Sequence, residues 1–182
     1  MPDVLILTGP PGAGKSSVAE ALAERYDRVA HIDVDTVRHF ITPTGYIEAG
    51  HPGFEHQRAL ATRNVCALSR NYLEERFGVI IDDVVITQTD LEAYVAGLLP
   101  AGSPVHYLRL LPSLEACLAR NAARREGRIA ATRIEMVWRE FEAAGDVGGA
   151  TIDSSDLSVY GTADLVQALT TSGESLVWRP QG

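Results

Sequence analysis

Val4-Leu5-Ile6-Leu7 and, one residue on, Gly9-Pro10-Pro11-Gly12-Ala13-Gly14-Lys15-Ser16-Ser17 form the stretch that decides the fold. The second part matches G-x-x-x-x-G-K-[ST], the phosphate-binding P-loop. Its glycines allow a tight turn in which successive backbone N–H groups point inward at phosphate oxygens. Lys15 adds a mobile positive charge for the outer phosphates, and Ser16 a hydroxyl for Mg²⁺. The apolar run before the loop suits a buried strand, and Ser17 to Arg25 after it is a good helix former. Strand, glycine loop and helix is the setting the motif requires, with the helix N-terminus facing the phosphates.

Outward from this stretch, apolar runs alternate with helical patterns, which predicts an α/β fold with a parallel sheet. Strands are expected at Val4–Thr8, Val29–Asp33, Gly78–Asp82, Val105–Leu110 and Thr151–Asp153. Helices are expected at Lys15–Tyr26, Thr36–Ile41, Phe54–Arg76, Thr87–Leu99, Pro112–Glu126, Ala131–Ala144 and Ala163–Leu169. In the long third helix, Phe54–Arg76, Ala61, Val65, Leu68 and Tyr72 recur at spacings of 4, 3 and 4 and predict one buried stripe. Thr42 to Gly53 reads as a loop, and the tail from Ser172 is ambiguous, with Trp178 as a docking residue.

The 182 residues fit one domain, 1–182, with no repeat or linker that divides it. The net charge of −8 speaks against a nucleic-acid partner, because such binders normally carry a basic face. It does not speak against nucleotides, which a P-loop holds locally. Cys66 and Cys117 fall beside apolar residues in helices and read as buried free thiols. No secretory signal and no run of 18 apolar residues is seen, so no membrane partner and a cytoplasmic location are expected.

In an open parallel sheet, ligands sit beyond the carboxyl ends of the strands. Strand 1 delivers the P-loop there, strand 2 delivers Asp33 and Asp35, and strand 3 delivers Asp82 and Asp83. Asp35 is read as the base that takes a proton from a substrate hydroxyl attacking the γ-phosphate, and Asp33 as the metal-side acid. The alternative makes Asp35 the N-cap of the following helix. Asp82 follows an apolar run, as a Walker-B acid does, and is assigned to water-mediated Mg²⁺ contact. Asp83 is assigned to substrate orientation. The alternative for both is a turn cap. Arg38, one helical turn past the acids, meets an anionic or hydroxylated substrate or lies on the surface.

Arg120, Arg124, Arg125, Arg128 and Arg133 make a basic cluster, with Arg120, Arg124 and Arg128 spaced by four on one helix face. Guanidinium groups suit the charge that phosphoryl transfer spreads over oxygens. The alternative is a solvated face paired with Glu115 and Glu126. His31, His51 and His56 have no metal-ligand spacing and read as loop or surface residues.

Together these residues resemble small P-loop kinases of the adenylate kinase-like group, over nearly the whole chain. The resemblance implies a three-layer sandwich whose five parallel strands run in the order 2-3-1-4-5, with a short LID segment at about 120–133. It maps Arg120 to an adenine-stacking arginine, and Arg124 and Arg128 to phosphate-facing LID arginines. Asp33-Val34-Asp35 is similar to the strand 2 acids of shikimate kinases. Val34-Asp35-Thr36 with Ile80-Ile81-Asp82-Asp83-Val84 looks most like chloramphenicol phosphotransferase and related antibiotic kinases, whose strand 2 Asp is the base for a drug hydroxyl. The shikimate kinase glycine triplet after strand 3, the gluconate kinase signature and a zinc-type LID insert are missing. The implied activity is ATP- and Mg²⁺-dependent transfer to a hydroxyl of a small molecule, as in antibiotic resistance, with the acceptor bound by about 36–76. The rival readings are a nucleoside, nucleotide or UDP-sugar kinase resembling zeta toxins, and a non-catalytic nucleotide switch. No guanine-reading Asn-Lys-x-Asp motif appears.

Overall fold

The computed structural model describes residues 4–41, 45, 47 and 49–180. Part of the expected loop, 42–44, 46 and 48, lies outside the described residues. Six strands, β1 (Val4–Thr8), β2 (Val29–Asp33), β3 (Gly78–Asp83), β4 (Val105–Leu110), β5 (Ala150–Ile152) and β6 (Leu176–Trp178), form one sheet. The first five run parallel in the order β2-β3-β1-β4-β5. The sixth corrects the five-strand expectation: the ambiguous tail folds back antiparallel on β4, with Val105 opposite Trp178. Because β1 fills one edge of β4, β5 and β6 share the other, β5 along Leu108–Leu110 and β6 along Val105–His106.

Side chains of β1 alternate between two cores, as strand geometry requires. Val4 and Ile6 pack with Val34 and Val37 of α2 (Val34–Arg38), Ala61 and Val65 of α3 (Phe54–Glu74), and Leu91 and Tyr94 of α4 (Gln88–Leu98). Leu5 and Leu7 pack with Val18 and Leu22 of α1 (Lys15–Ala23) and Val166 of α7 (Val159–Ser172). This gives the three expected layers. Beyond β4 lie α5 (Leu114–Ala122) and α6 (Ala131–Ala143), tied where Trp138 Nε1 donates to the Pro112 carbonyl at 2.8 Å. Cys66 and Cys117 are buried free thiols. No helix among the described residues is long and apolar enough to cross a membrane.

Three local expectations are corrected. The buried face of α3 is Gln57, Ala61, Val65, Cys66 and Ser69, while Leu68 and Tyr72 stand 37% and 41% exposed. Apolarity misjudged the face because two polar side chains are buried with partners: Gln57 Nε2 donates to the Gly45 carbonyl, and Ser69 Oγ to the Val65 carbonyl. The helix expected at Pro112–Glu126 stops at Ala122, so Arg124 and Arg128 lie beyond it and share no helix face with Arg120. The last helix begins early, at Val159, because Ser158 caps it through the Gly161 N–H.

Candidate active site

The P-loop is held by its neighbours at atomic contact. A Cβ on Gly9 would lie 2.2 Å from the Leu110 carbonyl oxygen, and one on Gly12 would lie 2.4 Å from that of Cys117. Gly12 also has φ +84°, a left-handed conformation costly to other residues. Ala13 N–H donates to the Pro10 carbonyl, closing the turn. The α1 N-terminus, at Gly14, has no side-chain cap, so its orphan N–H groups stay available to an anion. Lys15 Nζ donates to the Gly9 carbonyl at 3.0 Å, which curls it over the loop.

Beside the loop, Ser16 Oγ donates to Asp82 Oδ2 at 2.6 Å. Asp82 is buried. Burial alone would raise its pKa, but His31, Lys15 and the Ser16 hydroxyl outweigh that and hold it below the usual carboxylate value. His31 Nε2 stands 3.8 Å from Asp82 Oδ2, too far for a hydrogen bond and near enough for charge attraction. This corrects the surface reading of His31. A hydroxyl touching an ionised carboxylate at the end of a P-loop is an oxygen donor set that suits Mg²⁺. Asp33 is the register partner of Asp82 on the neighbouring strand.

The cap of α2 is Asp33, not Asp35. Its Oδ1 accepts from the Asp35 N–H at 3.1 Å and its Oδ2 from Thr36 Oγ1 at 2.7 Å. Asp35 is thereby freed from capping, and its carboxylate opens on a cavity of about 760 Å³. The concave protein wall raises its pKa, as does the charge of Asp33, against the lowering effect of Lys15 and Arg38. The side chain is 66% exposed, so cavity water screens the effect.

The same cavity gathers Pro11 of the P-loop, Arg38, Asp83 and Arg128, which the sequence scatters over more than a hundred residues. Asp83 accepts from the Tyr94 hydroxyl at 2.6 Å, and burial pushes its pKa up. Arg38 is buried in the wall: it donates to the Ile47 carbonyl at 2.9 Å, sits 4.0 Å from Asp35 and lies over the Phe54 ring. Phe54, Arg58, Arg133 and Met136 also line the cavity and were not singled out as acceptor contacts.

Arg120 stands apart from the cavity lining. Its guanidinium donates to the Ala13 carbonyl at 3.1 Å and to the carbonyls of Ser154 and Ser155, bridging the P-loop to the segment after β5. Arg124 and Arg128 are exposed and bonded to their own segment, Arg128 Nε to the Arg124 carbonyl at 2.8 Å. Among the described residues no ion pair joins Arg120, Arg124, Arg128 or Arg133 to a carboxylate, so the pairing with Glu115 and Glu126 that the alternative reading required is absent.

Two supports escaped the sequence reading. The amide of buried Asn121 donates to the Ile129 carbonyl at 2.9 Å and accepts from the Ile129 N–H at 3.0 Å, closing the base of the arginine-bearing segment. The Thr8 hydroxyl donates to the Val85 carbonyl and accepts from the Val85 N–H, fixing the chain just after Asp83. A polar side chain at a strand or helix end is the only signal either gave.

A parallel α/β sheet carrying a phosphate loop at its carboxyl rim defines a P-loop nucleotide-binding protein. The chain belongs to the AAA domain family, whose model matches residues 4–145. Its fold is similar to that of a sugar kinase from Janibacter sp. HTCC2649, at TM-score 0.75 and 15% identity over 94% of this chain and 95% of that one. It is also similar to the tunicamycin resistance protein of Deinococcus radiodurans, at TM-score 0.64 and 20% identity over 100% of both chains. A gluconokinase from Sinorhizobium meliloti 1021 gives TM-score 0.66 and 18% identity, over 94% of this chain and 97% of that one. No curated protein matches the chain.

Proposed function

We propose that the protein is an ATP- and Mg²⁺-dependent phosphotransferase that moves the γ-phosphoryl group to a hydroxyl of a small molecule. The observation that carries this reading is one cavity that holds both an edge of the P-loop, at Pro11, and the uncapped carboxylate of Asp35. Donor and acceptor sides then meet at the rim of a single sheet, as transfer without hydrolysis requires.

In this reading residues 9–17 bind the phosphates, through the side chain of Lys15 and the backbone N–H groups of the loop other than Pro10 and Pro11, which carry none. Lys15 leaves the Gly9 carbonyl to do so. Ser16 and Asp82, with Asp33 on the neighbouring strand, hold Mg²⁺, which neutralises charge on the β- and γ-phosphates when bound. Asp35 accepts the proton of the acceptor hydroxyl as its oxygen bonds to the γ-phosphorus. The bond from that phosphorus to the ADP oxygen breaks, and ADP leaves. Arg128 faces the cavity and, with Arg124, stabilises the equatorial oxygens of the transferring group. Arg120 supports the nucleotide side from the Ala13 carbonyl, where a base can stack on its guanidinium. Asp83 accepts a hydrogen bond from the acceptor, and Arg38 holds the Asp35 wall in place.

For the acceptor we take an antibiotic hydroxyl, as in the chloramphenicol phosphotransferase resemblance. The fold likeness to a tunicamycin resistance protein agrees with that choice. A nucleotide switch needs no roomy cavity running from its phosphate loop to a free carboxylate, which favours the enzyme. Acceptor-dependent ADP release tests this. With ATP and Mg²⁺, release rises only when a hydroxyl-bearing acceptor is present. Release that no member of a panel of antibiotics, sugars, sugar acids and nucleosides stimulates, with ATP bound, contradicts it.

A further inference from the structure

The basic groups lining the acceptor cavity are not equivalent. Arg38 is taken up by Ile47, Gln57 and Asp35. Arg58 is paired with Asp90 and stands 3.9 Å from Glu55. Arg128 bonds the Arg124 carbonyl. Arg133 lines the cavity half-buried, and among the described residues it has no side-chain hydrogen bond or ion pair. Its N–H donors reach only cavity water, so they are free to turn to an acceptor that a ligand supplies.

Its surroundings define the rest of that ligand. Arg133, Met136, Val137 and Glu140 follow at spacings of three and four, so one face of α6 lines the cavity. Met136, 44% exposed, adds apolar surface to the cavity. Phe54 and Ile129 add to the apolar wall. Glu140 lies two turns further along, is exposed and remains solvated. A volume of about 760 Å³ falls in the upper part of the range that drug-sized ligands occupy, about 300–1,000 Å³.

We infer that the acceptor carries an anionic group, a carboxylate or a phosphate, on an apolar body of drug-like size, and that Arg133 reads that group. The inference rests on the kinase reading and narrows its substrate class. Asp35 meets the reacting hydroxyl, the α6 face and Phe54 cover the body, and Arg133 fixes the charged end.

Two matched pairs of alcohols test it: N-octanoylserine against N-octanoylserinamide, and 1-octanoylglycerol 3-phosphate against 1-octanoylglycerol. Binding to the ADP- and Mg²⁺-loaded protein is measured by calorimetry, and ADP release from ATP is followed in parallel. In at least one pair the anionic member binds about tenfold to a hundredfold more tightly than its neutral partner. The pair with the larger preference identifies the group. Arg133→Gln erases that preference without changing affinity for the neutral member, and Arg133→Lys restores part of it. Arg139→Gln, on the same helix but outside the cavity, leaves it intact. Unfolding midpoints of the variants check that they are folded. Neutral members that bind as well as anionic ones, a preference that survives Arg133→Gln, or no binding by any of the four probes overturns the inference. An Arg133-dependent preference with no ADP release contradicts the kinase reading alone. ADP release with neutral alcohols preferred contradicts the anion alone.

Discussion

Asp35 shows how one residue's neighbours tune a base. Its pKa is raised first by the protein wall around it and then by the Asp33 charge two residues away. A base works only when deprotonated, so activity falls as pH drops through that raised value. The acid limb of kcat/KM is therefore displaced upward from the ordinary Asp value. Asp33→Asn keeps a side-chain oxygen to cap α2 and removes the charge. It moves the acid limb to lower pH, as a pH–rate profile would read; an unmoved limb contradicts the coupling. At this scale the sequence was informative where chemistry is local. The glycines, Lys15, Ser16 and the strand-end acids announce themselves by type and spacing. It misassigned the cap, because Asp33 and Asp35 are equally good capping residues and only the starting point of α2 chooses between them.

Among the elements, the segment between α5 and α6 carries the arginines and is closed by Asn121. Residues 121 and 129 meet through two hydrogen bonds that no periodic pattern encodes. Asn121→Ala leaves the Ile129 backbone groups without their partner and costs about 1–3 kcal/mol. Denaturant unfolding measures that loss. Loosening this base also lowers kcat, because the segment must hold Arg128 at the cavity. Full turnover in the variant would show that the segment works without its clasp. The α5 boundary was misread for the same reason: Ala123 to Glu126 is helix-compatible in composition, and the Asn121 contact with Ile129, eight residues on, favours leaving the helix early. The α3 face failed likewise, since Gln57 and Ser69 are buried by virtue of hydrogen bonds that apolar spacing cannot register.

On the scale of the whole molecule, the alternation of apolar runs and helices was enough to specify a parallel α/β sheet, and the family resemblance supplied the strand order. The sixth strand was illegible because Leu176–Trp178 is too short to signal itself and is defined by the open edge of β4 that it covers. That edge lies at the amino end of β4, away from the phosphate rim. Trp178→Ala therefore lowers stability by about 1–3 kcal/mol and leaves the transfer rate at saturating substrates unchanged. Paired unfolding and rate measurements check both halves. A large rate loss with unchanged stability would place the tail in the mechanism instead.

The chain's central claim joins two ends of one cavity, the phosphate loop at Pro11 and the carboxylate at Asp35. The most direct measurement follows the label from γ-labelled ATP onto an acceptor that stimulates ADP release, in the native protein and in Asp35→Ala, with ADP affinity measured for both. The account predicts labelled acceptor from the native protein, about 10²- to 10⁴-fold slower labelling by the variant, and ADP affinity within a few-fold of native. Labelling by Asp35→Ala at near-native rate would contradict it.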